Sequence, residues 1–161
     1  MRKIIIISGT PGTGKTKLAK LISKKTNFKH IELNKKIKQN KIYDSYDKKR
    51  KCYVVDIKKL NKFLINFINN SKENLILDSH LSHFLPRKYV GLCIITKCDL
   101  KLLRKRLITR KYNSLKIKEN LESEIFNVCL NEAKKLGHNI IVIDTTKGVN
   151  NLNIKRLIEL S

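Results

Sequence analysis

An apolar run that leads straight into a glycine-rich loop, KIIIISGTPGTGKT at residues 3 to 16, constrains the fold of this chain more than any other feature. An unbroken run of isoleucine is typical of a strand buried on both faces, as in a parallel sheet. The segment from Gly9 to Thr16 satisfies the pattern GxxxxGK[S/T], and the apolar spacing after it predicts a helix over residues 14 to 25. A strand, a tight glycine turn and a helix in this order predict a loop that binds phosphate through its backbone N–H groups.

Three side chains around this loop have expected roles in binding a magnesium nucleotide. Lys15 is expected to neutralise the β and γ phosphates, and Thr16 to ligate magnesium. Such a loop also needs an acid near the metal, at the end of a neighbouring apolar strand. The run NLILD, residues 74 to 78, ends in Asp78, so we expect Asp78 to hold hydrated magnesium through water.

Two histidines follow that acid and leave two interpretations open. In one, Asp78, His80 and His83 together form a metal site. In the other, His80 is a polar group at the nucleotide and His83 is merely exposed. We favour the second, because the phosphate loop already requires an acid at the position of Asp78.

Apolar strands alternate with amphipathic helices along the 161 residues, a length typical of one domain. This order predicts an α/β P-loop NTPase fold with three layers, in which helices cover both faces of a central parallel five-stranded sheet. The predicted strands cover residues 3 to 8, 29 to 33, 74 to 78, 91 to 96 and 139 to 144. The predicted helices cover residues 14 to 25, 58 to 69, 99 to 110 (capped by Asp99), 117 to 136 and 151 to 160.

Two polar segments rich in lysine and tyrosine, roughly residues 34 to 57 and 110 to 118, are too long or too irregular to be plain connections. They are candidates for moving lobes. Arg110, at a helix end that opens into the second segment, is the preferred candidate for a lid residue that closes on the transferred phosphate. Arg104 and Arg106 lie within the same helix, where a solvated basic face and a catalytic role are equally good interpretations.

The charge of the chain is extreme, with 36 Lys and Arg against 13 Asp and Glu and a formal net charge of +23. Such a field attracts nucleotides and RNA alike, and adaptation of a whole proteome explains it equally well. No apolar run reaches the length of about 18 residues that a membrane span needs, so we expect a cytoplasmic protein with no membrane contact. The cysteines lack metal or redox spacing and are expected to be reduced thiols: Cys52, Cys93, Cys98 and Cys129.

Four separated segments resemble the adenylate kinase isoenzyme six family, the small nuclear and archaeal adenylate kinases that also act as ATPases in small ribosomal subunit maturation. The segments are GTPGTGKT, IYDSYDKKRKCYVVD (42 to 56), DSHLSHFLP (78 to 86) and RLITRKYNSLKIKENLESEIFNVCLNEA (106 to 133). The resemblance implies a nucleoside monophosphate kinase that uses Mg²⁺ and ATP and transfers the γ-phosphate to AMP. It also implies a small-subunit ribosomal protein or rRNA as partner, and a monomer. The alternative is an ATP-hydrolysing assembly factor with little kinase activity.

The resemblance further implies a role for individual residues. Asp78 and His80 match the family's Asp-x-His motif, with the histidine implicated in catalysis, and Arg110 matches the lid arginine that meets ATP. The matches to the family's ATP phosphate loop are Gly12, Gly14, Lys15, Thr16 and Lys17, the last through its backbone. The implied division is a monophosphate-binding lobe at 33–56, a lid at 109–119 and a core of 1–32, 57–108 and 120–161.

Two residues depart from the family pattern, and two segments leave their meaning open. Lys38 stands where the lobe usually has an arginine that binds AMP, and a lysine lacks the bidentate fork of a guanidinium. His83 stands where the family's second motif has an acid. DTTKG, residues 144 to 148, is either an adenine contact or a helix-entry turn, and the Tyr-rich segment 42 to 53 leaves room for another small hydroxyl substrate.

Overall fold

A parallel five-stranded sheet forms the centre of the computed structural model, which describes residues 3–150, 152 and 154–160. In chain order the strands are β1 (Ile4–Ser8), β2 (Lys29–Glu32), β3 (Ser45–Asp47), β4 (Cys52–Val54), β5 (Leu75–Asp78), β6 (Leu92–Lys97) and β7 (Ile140–Asp144). The central sheet has the order β2-β5-β1-β6-β7, with every pairing parallel, while β3 and β4 form a separate antiparallel hairpin. The predicted fold class and all five predicted strands are confirmed.

Helices pack on both faces of this sheet. They are α1 (Lys15–Lys25), α2 (Leu33–Gln39), α3 (Ile57–Asn70), α4 (Leu100–Thr109), α5 (Ser114–Ile125), α6 (Val128–Lys135) and α7 (Ile154–Glu159), with short 3₁₀ turns at Ser82–Phe84 and Arg87–Tyr89. Helix α4 has the predicted cap, since the Asp99 side chain accepts from the Leu102 N–H. The predicted last helix begins at Ile154 among the described residues, and positions 151 and 153 lie outside them.

The prediction of a single helix over residues 117 to 136 is wrong, because the chain breaks it into α5 and α6. The break falls at Asn127, whose backbone is left-handed with φ of 52°. Asparagine is one of the few residues that adopt this conformation readily. Its side-chain oxygen accepts a hydrogen bond from Lys97 at the end of β6. After the break, α6 packs beside β6 and the 3₁₀ turn that follows β5.

Strand β1 shows why the isoleucine run forms a central strand. Alternate side chains of a strand point to opposite faces, and the run divides in that way between two apolar clusters. Ile4 and Ile6 pack with the cluster that includes α3, whereas Ile5 and Ile7 pack with the cluster that includes α1. Both faces are buried, so each isoleucine contributes to the core.

The segment predicted as a polar lobe has its own structure, made of α2 and the β3–β4 hairpin. Its aromatic rings pack on one another: Tyr43 lies 4.3 Å from Tyr53 between ring centroids, and Tyr46 contacts Tyr53 edge to face at 5.2 Å. The tyrosines thus stabilise the hairpin by mutual ring contacts. The second polar segment is shorter than predicted, because α5 already begins at Ser114, capped by Asn113.

Two further expectations concern the whole chain. Cys93, Cys98 and Cys129 are buried free thiols and Cys52 is half-buried, and burial raises the pKa of the Cys93 thiol to about 12. Within the described residues, no helix is both long enough and apolar enough to cross a membrane.

Candidate active site

The loop between β1 and α1 has the backbone conformation that a phosphate cradle requires. Gly9 and Gly12 have φ of 135° and 95°, values that L side chains rarely adopt. Position 9 has no room for a side chain, since a Cβ on Gly9 would lie 2.5 Å from the Thr96 carbonyl oxygen. A Cβ on Gly12 would lie 2.8 Å from Leu103. The predicted glycine-rich turn is therefore required both by backbone conformation and by packing.

Lys15 is the buried cation at the centre of this loop. Its Nζ donates to the carbonyl oxygens of Gly9 and Thr10, at 2.7 and 2.9 Å. Burial lowers the pKa of Lys15 to about 8; the Asp78 carboxylate opposes this shift and the Arg110 guanidinium adds to it. An ammonium group held in this way by neutral carbonyls will interact more strongly with an anionic oxygen.

Asp78 lies beside the loop because β5 pairs in parallel with β1, in a register that sets Ile7 opposite Asp78. The carboxylate is 3% exposed, and its Oδ2 lies 2.9 Å from Nε2 of His30 on β2. His30 was not predicted as part of the site, and only knowledge of the strand order brings it next to β5. Thr16 follows Lys15 in the first turn of α1 and is half-buried.

These groups fit a magnesium ion better than a metal held by a protein cage. Magnesium is usually bound through one or two carboxylates or hydroxyls, nucleotide oxygens and several waters, and Thr16 and Asp78 offer that donor set. In the described part of the chain, no cluster of three or more His, Cys, Asp or Glu could hold a metal. The open interpretation of a site made of Asp78, His80 and His83 is thus not supported.

His80 is half-buried and lies within electrostatic reach of Lys15 in the phosphate loop. Burial lowers its pKa to about 4, and the positive charge of Lys15 contributes to this shift, as do His83 and Lys116. The imidazole is therefore neutral at neutral pH, able to donate one hydrogen bond and accept another. Lys116, on α5, was not predicted from the sequence, although it lies in the segment that we interpreted as a lid.

The expectation that His83 is exposed is wrong: the side chain is 1% exposed. The 3₁₀ turn Ser82–Phe84 folds back over the end of β1, and the Ser82 hydroxyl donates to the Ile7 carbonyl at 3.0 Å. His83 is thereby enclosed between Ser8, at 2.7 Å, and Glu132, at 2.9 Å. Hydrogen bonds at both ring nitrogens are what make burial of this polar ring acceptable.

The basic residues of α4 occupy different positions. Arg110 ends the helix as an exposed side chain, and its charge is near enough to lower the pKa of Lys15. The Arg106 guanidinium donates to the Gly12 carbonyl at 3.1 Å, so it contacts the loop, whereas Arg104 is exposed. Lys17, which was matched to the family's phosphate loop through its backbone, lies on α1 with an exposed side chain.

Two polar residues that were not named individually in the sequence analysis lie near the loop. The Thr145 hydroxyl, in DTTKG, donates to the Thr13 carbonyl at 2.6 Å. Glu124 is buried on α5, accepts from the Cys98 N–H at 3.2 Å and raises the pKa of Lys15 by its charge. Thr145 belongs to the segment that was interpreted as either an adenine contact or a helix-entry turn, whereas the position of Glu124 in the sequence carried no signal for this proximity.

The tip of the β3–β4 hairpin contacts the beginning of α5, so the two predicted lobes meet. Arg50 binds the Glu119 carboxylate through Nε, at 3.0 Å to each oxygen, and through Nη2 at 2.7 Å. Its Nη1 donates to Asp47 at 3.0 Å within the hairpin. Asn113 Nδ2 donates to the Lys49 carbonyl at 2.7 Å. These contacts join the hairpin to the segment after Arg110.

The sheet order and the phosphate loop define the class as a P-loop kinase fold. Shikimate kinase from Acinetobacter baumannii in complex with shikimate superposes with a TM-score of 0.65, covering 99% of this chain and 93% of the other at 11% identity. At that identity the likeness concerns the fold alone.

Sequence comparison identifies the family. A family described as AAA domain matches residues 5–127. Proteins named adenylate kinase isoenzyme 6 homolog are 30% identical in Caenorhabditis elegans, over 99% of this chain and 90% of the relative, and 34% identical in Dictyostelium discoideum, over 87% and 79%. The chain belongs to the adenylate kinase isoenzyme six family, as the four sequence segments predicted.

Proposed function

We propose that the protein is a nucleoside monophosphate kinase that converts Mg·ATP and AMP into two ADP. The carrying observation is the buried ammonium group of Lys15, which lies within electrostatic reach of both Asp78 and Arg110 in a loop shaped for phosphate. The names of the curated relatives support an adenylate kinase activity. A separate lobe, residues 33–56, provides a structure distinct from the phosphate loop for binding the acceptor.

In this proposal ATP binds along the loop from Gly12 to Lys17, with its phosphates against the backbone N–H groups. Phosphoryl transfer spreads negative charge over the transferred group, and fixed positive charges lower its barrier. Lys15 and Arg110 supply that charge from the protein. Bound magnesium, held by Thr16 and by Asp78 through water, would neutralise phosphate charge and orient the phosphates.

His80 acts in its neutral form. With a pKa near 4 it is too weak a base to hold a proton at neutral pH. It can accept a hydrogen bond from an attacking water or orient the acceptor beside Lys15. Transfer is direct and in line, with no covalent intermediate on the protein.

The acceptor lobe of this chain differs from the family pattern at the residue proposed to bind the AMP phosphate. Lys38 lies exposed near the end of α2, where the family resemblance implies an arginine. It is proposed to attract the AMP phosphate as a point charge without bidentate geometry. We therefore expect weaker discrimination among monophosphates than an arginine would give.

A second candidate is ATP hydrolysis that drives release of a small-subunit ribosomal protein or rRNA. The net charge of +23 favours it, since such a surface attracts polyanions. It requires that the affinity for rRNA, or for that ribosomal protein, differ between nucleotide-free and ADP-bound protein at physiological salt. An affinity that is equal in every nucleotide state removes this candidate.

The deciding experiment is ADP production from Mg·ATP with and without AMP, CMP, GMP and UMP. Strong stimulation by AMP, with two ADP formed per ATP consumed, is the expected result. Lys15→Ala should abolish the activity, whereas Lys20→Ala, an exposed lysine of the same helix, should retain it. A slow rate of ATP hydrolysis that is the same with and without each monophosphate would instead mean that the γ-phosphate is transferred to water.

A further inference from the structure

A chain of three side chains connects the phosphate loop to helix α6. The Ser8 hydroxyl lies 2.7 Å from His83 Nδ1, and His83 Nε2 lies 2.9 Å from Glu132 Oε2. Ser8 and His83 are 0% and 1% exposed, while the Glu132 side chain is 40% exposed. Ser8 is too deeply buried to meet a substrate, so this arrangement is a link rather than a nucleophilic site.

The hydrogen-bonding capacity of each group determines the form of the link. A carboxylate only accepts, so the ring must donate to Glu132 through Nε2–H. A neutral imidazole then has an unprotonated Nδ1, which must accept from the Ser8 hydroxyl. The His83 carbonyl in turn accepts from Nε2–H of His138 at 2.8 Å, which fixes the backbone at the same residue.

Ser8 connects this chain of side chains to the proposed reaction centre in two ways, through its backbone and through its hydroxyl. Ser8 is the last residue of β1, directly before Gly9, and its hydroxyl is also 3.4 Å from the His80 carbonyl. His80 lies three residues before His83, on the same short turn. A shift of His83 would thus move the turn that bears His80 relative to the strand that enters the loop.

We propose that His83 is a positioning residue for phosphoryl transfer: bonded to Ser8 and Glu132, it holds the turn that bears His80 against the phosphate loop. This inference rests on the proposed function for its catalytic consequence, and on the geometry of the three side chains for its structural part. It also gives a physical role to the histidine that replaces the acid of the family pattern.

The link responds to protons in a defined direction. Protonated His83 would donate through Nδ1 to the Ser8 oxygen, and the Ser8 hydrogen would then turn towards the His80 carbonyl. Burial lowers the pKa of His83, Glu132 opposes that effect, and His138 and Lys15 add to it. His83 is therefore neutral at neutral pH and accepts from Ser8. Protonation of His83 in acid reverses the direction of that hydrogen bond.

The structural part is tested by NMR of the histidine side chains in ¹⁵N-labelled protein. The expected spectrum shows His83 with a proton on Nε2 and none on Nδ1 at neutral pH. In Glu132→Gln the loss of a negative charge should lower the pKa of His83, so its titration moves to lower pH. Glu122→Gln, which removes an exposed acid of α5, is the matched control and should leave that titration in place.

The catalytic part is tested by steady-state kinetics of Ser8→Ala and Glu132→Gln. Losing one aligned hydrogen bond should reduce kcat by about threefold to tenfold in Ser8→Ala, with the KM for ATP unchanged. Glu132→Gln, at a partly exposed position, should move the acid limb of the kcat profile in the same direction as the His83 titration.

The outcomes separate the two proposals. A proton on Nδ1 at neutral pH, or equal His83 titration in Glu132→Gln and Glu122→Gln, overturns the link. A kcat for both link variants equal to that of the Glu122→Gln control overturns the positioning role. Wild-type protein without AMP-stimulated ADP formation overturns the proposed function alone; the NMR measurement then still decides the link, and the hydrolysis rate decides the positioning role.

Discussion

Removing the charge of Lys15 should raise the free energy of unfolding above that of the wild type at neutral pH. This difference between the two proteins should shrink as the pH rises into the alkaline range. The perturbation is Lys15→Met, which keeps the length of the side chain and removes its charge. In the wild type, burial lowers the pKa of Lys15 from 10.5 to about 8. The unfolded chain therefore holds this proton more tightly than the folded protein does. Folding with a charged Lys15 is penalised below pH 8, and the penalty is relieved as pH rises from 8 towards 10.5.

The size of the effect follows from the two pKa values. One pH unit corresponds to about 1.4 kcal/mol, so the full penalty is about 3 kcal/mol, of which about 2 kcal/mol is relieved between pH 7 and pH 9.5. Part of it is offset at every pH by the hydrogen bonds from Lys15 to the Gly9 and Thr10 carbonyls. The offset is the reason to measure the change with pH and not the difference at one pH.

The assay is urea unfolding of both proteins at pH 7 and pH 9.5. Other lysines, the tyrosines and the cysteines titrate in both proteins, so they cancel in the comparison. The wild type should gain about 2 kcal/mol more than Lys15→Met across this interval. Equal pH dependence of the two proteins would refute the reasoning, because it would mean that Lys15 is solvated in the folded state without nucleotide.

Three further changes test other parts of the structure. Gly9→Ala should lower the free energy of unfolding by about 1–3 kcal/mol, and Gly148→Ala, at positive φ with no atom within 4 Å of the added Cβ, should cost less in the same urea titration. Arg50→Ala should speed amide hydrogen exchange in the β3–β4 hairpin, compared with exposed Lys48→Ala, and by a smaller factor at about 1 M salt, which screens the ion pair with Glu119. Lys38→Arg should lower the KM for AMP by about threefold to tenfold if that side chain holds the acceptor phosphate; an unchanged KM would remove Lys38 from the site.

The sheet could be predicted from the sequence because its signals are local. Continuous apolar runs such as residues 3 to 8 and 139 to 144 read as buried strands without any knowledge of their neighbours. The phosphate loop is equally local, since its glycines and Lys15 lie within one short motif. The helix break at Asn127 was missed because a single left-handed residue leaves the apolar spacing on either side nearly intact.

The parts of the site that escaped prediction depend on pairs that are distant in the chain. His30 meets Asp78 only because β2 is the neighbour of β5, and this strand order has no local signature. The exposure of His83 was misjudged for the same reason: a histidine five residues after the end of β5 gives no indication that β1 and α6 will enclose it. Polar side chains become predictable as buried only when their partners are known.

The charged residues of the candidate site and the histidine beside them need different degrees of positional accuracy from the fold. In the proposed mechanism Lys15 and Asp78 would act through charge, which reaches over several ångströms, so a correct strand order would be enough to make them effective. In the same proposal His80 would act through directed hydrogen bonds, which weaken steeply when the distance or angle between donor and acceptor departs from its narrow range. The segment that carries His80 is tied to β1 on both sides, because the Ser79 N–H and the Ser82 hydroxyl both donate to the Ile7 carbonyl. The bonds from His83 to Ser8 and Glu132 supply an external constraint from β1 and α6. The His83 imidazole can join β1 to α6 because its two ring nitrogens face different partners, Nδ1 accepting from Ser8 and Nε2–H donating to Glu132.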